Sequence, residues 1–129
     1  MKDLMTIAVC GLHMKGLMLN HQMTDLGAVY KETCSTSPEY SLKLLRGEPD
    51  KPFLSSGSAG NAIEVELWDM TTTAVGRFLD QIPSPLALGR IMLSDGREVV
   101  GFIGQAGYEQ RLEDISVYGG WRTYMQMER

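Results

Sequence analysis

The chain has 129 residues, 43% of them hydrophobic and 22% charged, and a net charge of −4. That is enough for one domain, residues 1–129, burying roughly two-thirds of its unfolded surface without disulfide staples, and the acidic balance without any Lys/Arg cluster argues against nucleic acid and anionic membranes as partners. No apolar run approaches the roughly 18 residues of a membrane span, and Asp3 breaks any signal-peptide pattern at the N-terminus, so a cytoplasmic protein with reduced thiols is expected.

Met5 to Gly11 is a short apolar run with several β-branched residues and reads as a buried strand. Leu19, Met23 and Leu26 then recur at helical spacing. A short helix is expected there, with Asn20 as N-cap and Gly27 as its stop. Ala28 to Cys34 and Tyr40 to Leu45 read as strands separated by the turn-rich Ser35-Thr-Ser-Pro38, with Tyr40, Leu42 and Leu44 on one face. Residues 46–61, containing "GEPDKP" and "SSGSAGN", show no periodicity and are expected to be a mobile loop within the domain.

"AIEVELW", Ala62 to Trp68, alternates: Ile63, Val65 and Leu67 face one way, Glu64, Glu66 and Trp68 the other. Asp69 to Ile82 carries the clearest helical stripe, in Val75, Phe78, Leu79 and Ile82, and Pro83 and Pro85 end it. A hairpin follows, Leu88 to Leu93 and Glu98 to Gly104, with Asp95-Gly96 expected to supply a type I′ turn. "YEQRLEDI" suits a short helix and "YGGWRTYM" an ordered tail. About six strands with two or three short helices predict an α+β fold whose mixed sheet curls into a β-barrel.

The sequence holds no GxGxxG, P-loop, CxxC or HExxH, and His13 and His21 lack partners at ligand spacing, so neither a metal nor a cofactor is expected. Cys10 sits in an apolar strand, where a thiol is protonated and inert. A disulfide with Cys34 requires their strands to pair. Glu64 and Glu66 share a strand face. They form either a solvated polar face or, if that face lines a barrel interior, an acid/base pair with one raised carboxyl.

Beyond these local readings, "GLHMKGLMLNHQM" resembles the G-x-H-x-x-G-x-x-L-N segment of the allophanate hydrolase C-terminal domain family. "TDLGAVYKETCSTSPEYSLKLL", "AIEVELWDMTTTAVGRFLDQIPSPLALGRIMLSDGREVVGF" and "EDISVYGGWRTYM" are similar to its successive later segments, so the resemblance spans about residues 5 to 125. It implies a γ-glutamylcyclotransferase-like fold, in which the loop after the first strand cradles a substrate carboxylate. Here that loop reads Cys10-Gly-Leu-His13, without the cyclotransferases' Tyr. Leu79-Asp80 is followed by Gln81, Ile82 and Pro83, where those enzymes keep an acid/base Glu, which speaks against that reaction.

What the resemblance implies for function is decarboxylation of N-carboxycarbamate in urea and allophanate degradation. An amidase domain first deaminates allophanate to this unstable dianion. As CO₂ leaves, the nitrogen must gain a proton, and His13 is the side chain suited to give it. Glu64 or Glu66 would orient His13 or relay the proton. Backbone N–H groups from Gly11 through Leu12, Met14 and Lys15 to Gly16 would form an anion nest. Asn20 would donate its amide, with Lys15 and Arg90 as secondary cations.

Each of these residues also has a plain structural reading. His13 can be a satisfied core residue, Asn20 only an N-cap, Lys15 solvated, Arg90 a surface ion-pair partner, and Gly119-Gly120-Trp121 a packed C-terminal corner. The chain carries no Ser-Ser-Lys amidase signature. It is therefore expected to work beside a separate amidase, to bind a small carboxylate without turning it over, or to be an excised fragment. A cyclotransferase-like enzyme acting on a γ-glutamyl-type substrate and a homodimer remain further alternatives.

Overall fold

The computed structural model describes residues 3–57 and 60–127. Its framework is a five-stranded sheet in the order β2-β5-β1-β7-β6, formed by β1 (Leu4–Val9), β2 (Val29–Ser35), β5 (Glu64–Thr71), β6 (Leu86–Met92) and β7 (Glu98–Gly104). All neighbours are antiparallel except β1 and β7, which run parallel. β1 has a partner on both sides, and Ile7, Ala8 and Val9 are all buried. That central position is why its sequence is a continuous apolar run rather than an alternating one.

A second sheet, β4-β3-β8, is built from β3 (Tyr40–Leu45), β4 (Lys51–Ser56) and the two-residue β8 (Glu113–Asp114). β4 corrects the expectation of a loop over 46–61: Lys51 to Ser56 pairs residue for residue with Leu45 to Tyr40. Its Pro52 is tolerated because β4 is an edge strand. Residues 58 and 59 of that expected loop lie outside the described residues. The two sheets meet where the ring of Phe53 occupies the space a side chain on Gly104 would need, so that glycine is required by close approach.

The sheets do not close into the expected six-stranded barrel, and eight strands are present among the described residues. The edges β2 and β6 meet at and just beyond their ends. Thr36 bridges Leu93, Ser37 N–H donates to Met92 O at 2.8 Å, and Ser94 N–H donates to Ser35 O at 2.9 Å. The α+β class stands, with a half-closed sheet in place of a barrel.

The expected helix over 69–82 is shorter, α2 at Thr72–Leu79. Asp69 to Thr71 instead extend β5 by pairing with Thr6 to Leu4. Thr71 then caps the helix, its hydroxyl accepting from Ala74 N–H at 3.1 Å. α2 packs Ala74, Val75 and Phe78 inward. The hairpin turn is not type I′, since Asp95 has negative φ and only Gly96, at φ +91°, is left-handed. Gly96 N–H to Leu93 O and Leu93 N–H to Arg97 O instead describe a type I turn closed by a glycine bulge. "YEQRLEDI" forms one 3₁₀ turn, Glu109–Arg111, followed by β8 rather than a helix. The tail is ordered as α3, Trp121–Met127, with Trp121 fully buried. Cys10 and Cys34 are free thiols, and β5 separates their strands.

Candidate functional site

The chain leaves β1 into a compact turn. Met14 N–H donates to Gly11 O, Leu17 N–H to Met14 O and Leu19 N–H to Leu12 O, at 3.0, 3.0 and 2.9 Å. Gly11 is required here because a Cβ would collide with the Pro52 ring of β4. Gly16 is needed for a different reason, its positive φ of 79°. The loop leads into α1, His21–Thr24. Asn20 has helical backbone angles and makes no capping bond. Its amide donates instead to His13 O at 2.7 Å and ties the loop across its own base.

His13 is the centre of the arrangement. Its Nε2 lies 2.7 Å from Gln22 Oε1, and because that oxygen only accepts, the proton sits on Nε2. The ring stands edge-on to Phe78 at 4.9 Å between centroids, and Phe78 in turn stands edge-on to Phe102 at 5.1 Å. Burial lowers the imidazole below its ordinary value of 6.5. The Gln22 hydrogen bond opposes that shift, while the charges of Lys51 and His21 add to it.

His13 lines a cleft with about 60 Å³ of free space, room for a few water-sized groups. Gly11 and Leu12 form its floor, Lys51 and Pro52 of β4 one wall, and Gln81, Ile82 and Pro83 after α2 another. Cys10 is also among the lining residues, and its thiol, pushed up to about 12 by burial, stays protonated. Among the described residues no carboxylate lines this cleft.

The expected site residues therefore divide. His13, Gly11 and Leu12 come together in the cleft, and Gln22 supplies the hydrogen bond to His13 that was assigned to Glu64 or Glu66. Glu66 is buried, at 4% exposure, behind the loop. Its Oε1 accepts from Lys15 N–H at 2.7 Å and Trp68 Nε1 at 3.1 Å, and its Oε2 accepts from Arg122 Nη2 at 2.9 Å. Arg122 also donates to Lys15 O at 2.7 Å, so α3 and β5 grip the loop together. The solvated reading of the Glu64/Glu66 face is thus corrected for Glu66, which buries because it has three donors. Glu64 is half-buried, its backbone bonded to Gly119 O and its side chain against Gly120.

Met14 belongs to the core, at 0% exposure. The Met14 and Lys15 N–H groups are already engaged, which narrows the expected nest to the cleft end of the loop. Lys15 is exposed, its ammonium 5.2 Å from the centre of the Tyr30 ring. Arg90 is exposed on β6 beside Lys31 and Arg97, in an open groove away from the cleft. Gln22, Lys51 and Gln81 were not singled out as site residues. Gln22 lies nine residues beyond His13, across the loop, where no local pattern reports the pair. Lys51 lies in the segment whose lack of periodicity predicts a loop. No group of His, Cys, Asp and Glu among the described residues could hold a metal ion.

Against known proteins, residues 5–126 match the family model of the allophanate hydrolase C-terminal domain. The chain is 36% identical over 127 residues to a urea amidolyase of Saccharomyces cerevisiae, covering 94% of this chain and 7% of that protein. It superposes on Kluyveromyces lactis allophanate hydrolase with a TM-score of 0.91 at 30% identity, covering 97% of this chain and 21% of the other. A uropathogenic E. coli-specific protein matches along nearly its whole length: TM-score 0.89, 28% identity, 96% of this chain and 97% of that one. A γ-glutamyl cyclotransferase shares the fold, with a TM-score of 0.60 at 11% identity over 87% of this chain and 70% of that one. No helix among the described residues is long and apolar enough to cross a membrane.

Proposed function

Because the chain belongs to the family of allophanate hydrolase C-terminal domains, we propose that its cleft binds a compact dicarboxylate and promotes the decarboxylation of N-carboxycarbamate. The observation that carries this reading is the cleft itself: a half-buried imidazole in a small space lined by the loop after β1, with Lys51 and no carboxylate among its described residues. Such a space suits a small anion better than a γ-glutamyl peptide. The cyclotransferase alternative is further weakened by Gln81, an amide on the wall reached just after Leu79-Asp80.

The chemistry balances simply. The C–N bond of the dianion breaks, its electrons stay on nitrogen, and CO₂ departs while nitrogen takes a proton to give carbamate. N–H groups at Leu12 and His13 would hold the carboxylate that remains. Gln22 occupies Nε2 of His13, so Nδ1 is the nitrogen that gains and gives the proton. Phe78 and Phe102 keep the ring's surroundings apolar, which strengthens these interactions.

The chain spans 7% of the curated urea amidolyases it matches, and an amidase acting separately would supply the substrate. The test is CO₂ release, above the spontaneous background, from N-carboxycarbamate generated in place by an added amidase. His13→Ala should lower the catalysed rate by about 10²- to 10⁴-fold, the size of a lost general acid. An unchanged rate would remove His13 from the chemistry. A wild-type protein that binds small carboxylates without speeding CO₂ release would favour the non-catalytic binding module.

A further inference from the structure

Resting on that reading of the cleft, we propose that Lys51 is its specificity-determining residue: it binds the second carboxylate of a compact dianion and so selects dicarboxylates over monocarboxylates. Lys51 opens β4, opposite Leu45 in the β3–β4 pairing, and forms the cleft wall beside Pro52. It is the one permanent cation among the described cleft residues, in a chain whose net charge is −4. No carboxylate among the described residues forms an ion pair with it, although Lys43, Arg46, Arg97 and Arg122 each have one. The cleft thus combines a positive charge from β4 with the loop residues Gly11 to His13, whose N–H groups are the anion donors of the proposed function. A compact dicarboxylate would engage both attachment points, and a single carboxylate would satisfy only one.

The same placement couples binding to the proton on His13. The charged groups acting on the imidazole are Lys51 from β4 and His21 from α1, while Gln22 and Gln81 of the cleft lining and Phe78, edge-on to the ring, are uncharged. In the empty cleft the Lys51 charge disfavours a second positive charge on His13. A bound dianion reverses that field, so the ligand itself loads the acid it needs. Binding therefore takes up a proton.

Malonate, a stable dicarboxylate with one atom between its carboxyl carbons, and acetate are the probes. Isothermal titration at pH 7, in two buffers of different ionisation enthalpy, reads both affinity and protons taken up. The wild type should bind malonate at least tenfold tighter than acetate, with net proton uptake. Lys51→Met and Lys51→Gln should lose at least tenfold in malonate affinity and leave acetate within twofold, and Lys51→Arg should retain most of the preference. In the ligand-free variants, the His13 ring followed by NMR should titrate at higher pH than in the wild type, which a merely structural role for Lys51 would not produce. Malonate binding that is equal in wild type and Lys51→Met overturns the assignment of Lys51 while the cleft remains a carboxylate site. A wild type that binds neither malonate nor acetate overturns the carboxylate reading of the cleft, and this inference with it.

Discussion

The loop that follows β1 has two halves held by opposite kinds of chemistry. Its far half, at Lys15, is gripped through the backbone by the buried Glu66 carboxylate and the Arg122 guanidinium. Its near half, Gly11 to His13, is held by neutral bonds, from Asn20 to His13 O and from His13 to Gln22, and it faces a cleft whose described lining has one permanent cation. Charge is spent where geometry must be fixed and nothing needs to change protonation. It is sparse in the near half, where under the proposed function a proton would move and a carboxylate beside His13 would repel an anionic ligand. The two strand-β5 glutamates looked alike in the sequence, and the one that is buried serves the far half of the loop.

The sharpest way to break this contrast is to remove the grip. Glu66→Ala leaves the Lys15 N–H and the Trp68 indole N–H without their acceptor and Arg122 without its partner, and should destabilise the fold by about 3 kcal/mol. Arg122→Ala should cost less, about 2 kcal/mol, because Arg122 is one-third exposed and Glu66 keeps two neutral donors. Urea unfolding midpoints measure both. If Glu66→Ala unfolds at the wild-type midpoint, the carboxylate is not what fixes the loop, and its catalytic reading regains ground.

How much of this was legible depended on whether a partner lay nearby in sequence. β3 and β7 have the bounds expected from their patterns, because turn residues punctuate them on both sides. β4 was not legible: "KPFLSS" is short, contains Pro, and buries Phe53 and Leu54 in succession instead of alternating. Losing β4 also hid Lys51 and Pro52, and with them a whole wall of the cleft. Glu66 and Arg122 are 56 residues apart, and no local periodicity reports such a pair. His13, between two glycines after a buried strand, reads locally as a structural residue, and it is the family resemblance that makes it a site candidate. Arg90 was assigned by charge alone, and its strand turns it onto the open outer face.

A smaller effect tests the near half. Asn20→Ala removes the amide that closes the loop onto His13 O, and should cost about 1 kcal/mol, one neutral hydrogen bond. Were Asn20 a helix cap, Asn20→Ser would restore most of the loss, since Ser is an equally good N-cap. Because the bond crosses the loop from Asn20 back to His13, the shorter serine should fail to restore it. Thermal melts of the three proteins separate the two roles, and full rescue by serine would count against the loop tie.

The smallest effect sharpens the contrast most directly, because it isolates the one titratable group in the near half. His13 is held below 6.5 in the folded state, chiefly by burial, whereas in the unfolded chain it returns to about 6.5. Between those two values the unfolded state binds more protons, so folding stability falls as pH drops. His13 thus costs nothing well above pH 6.5, an increasing amount as pH falls through that value, and a constant amount once pH is below the folded pKa. Carboxylates titrate over part of the same range, so the comparison needed is between wild type and His13→Asn. Stability from urea unfolding at pH 7.5 and pH 5 should fall more steeply with acid in the wild type than in His13→Asn, and equal slopes would show that burial does not hold this imidazole neutral. A saturating dicarboxylate should shrink the difference between the two slopes, because a bound anion supplies the partner that burial withholds.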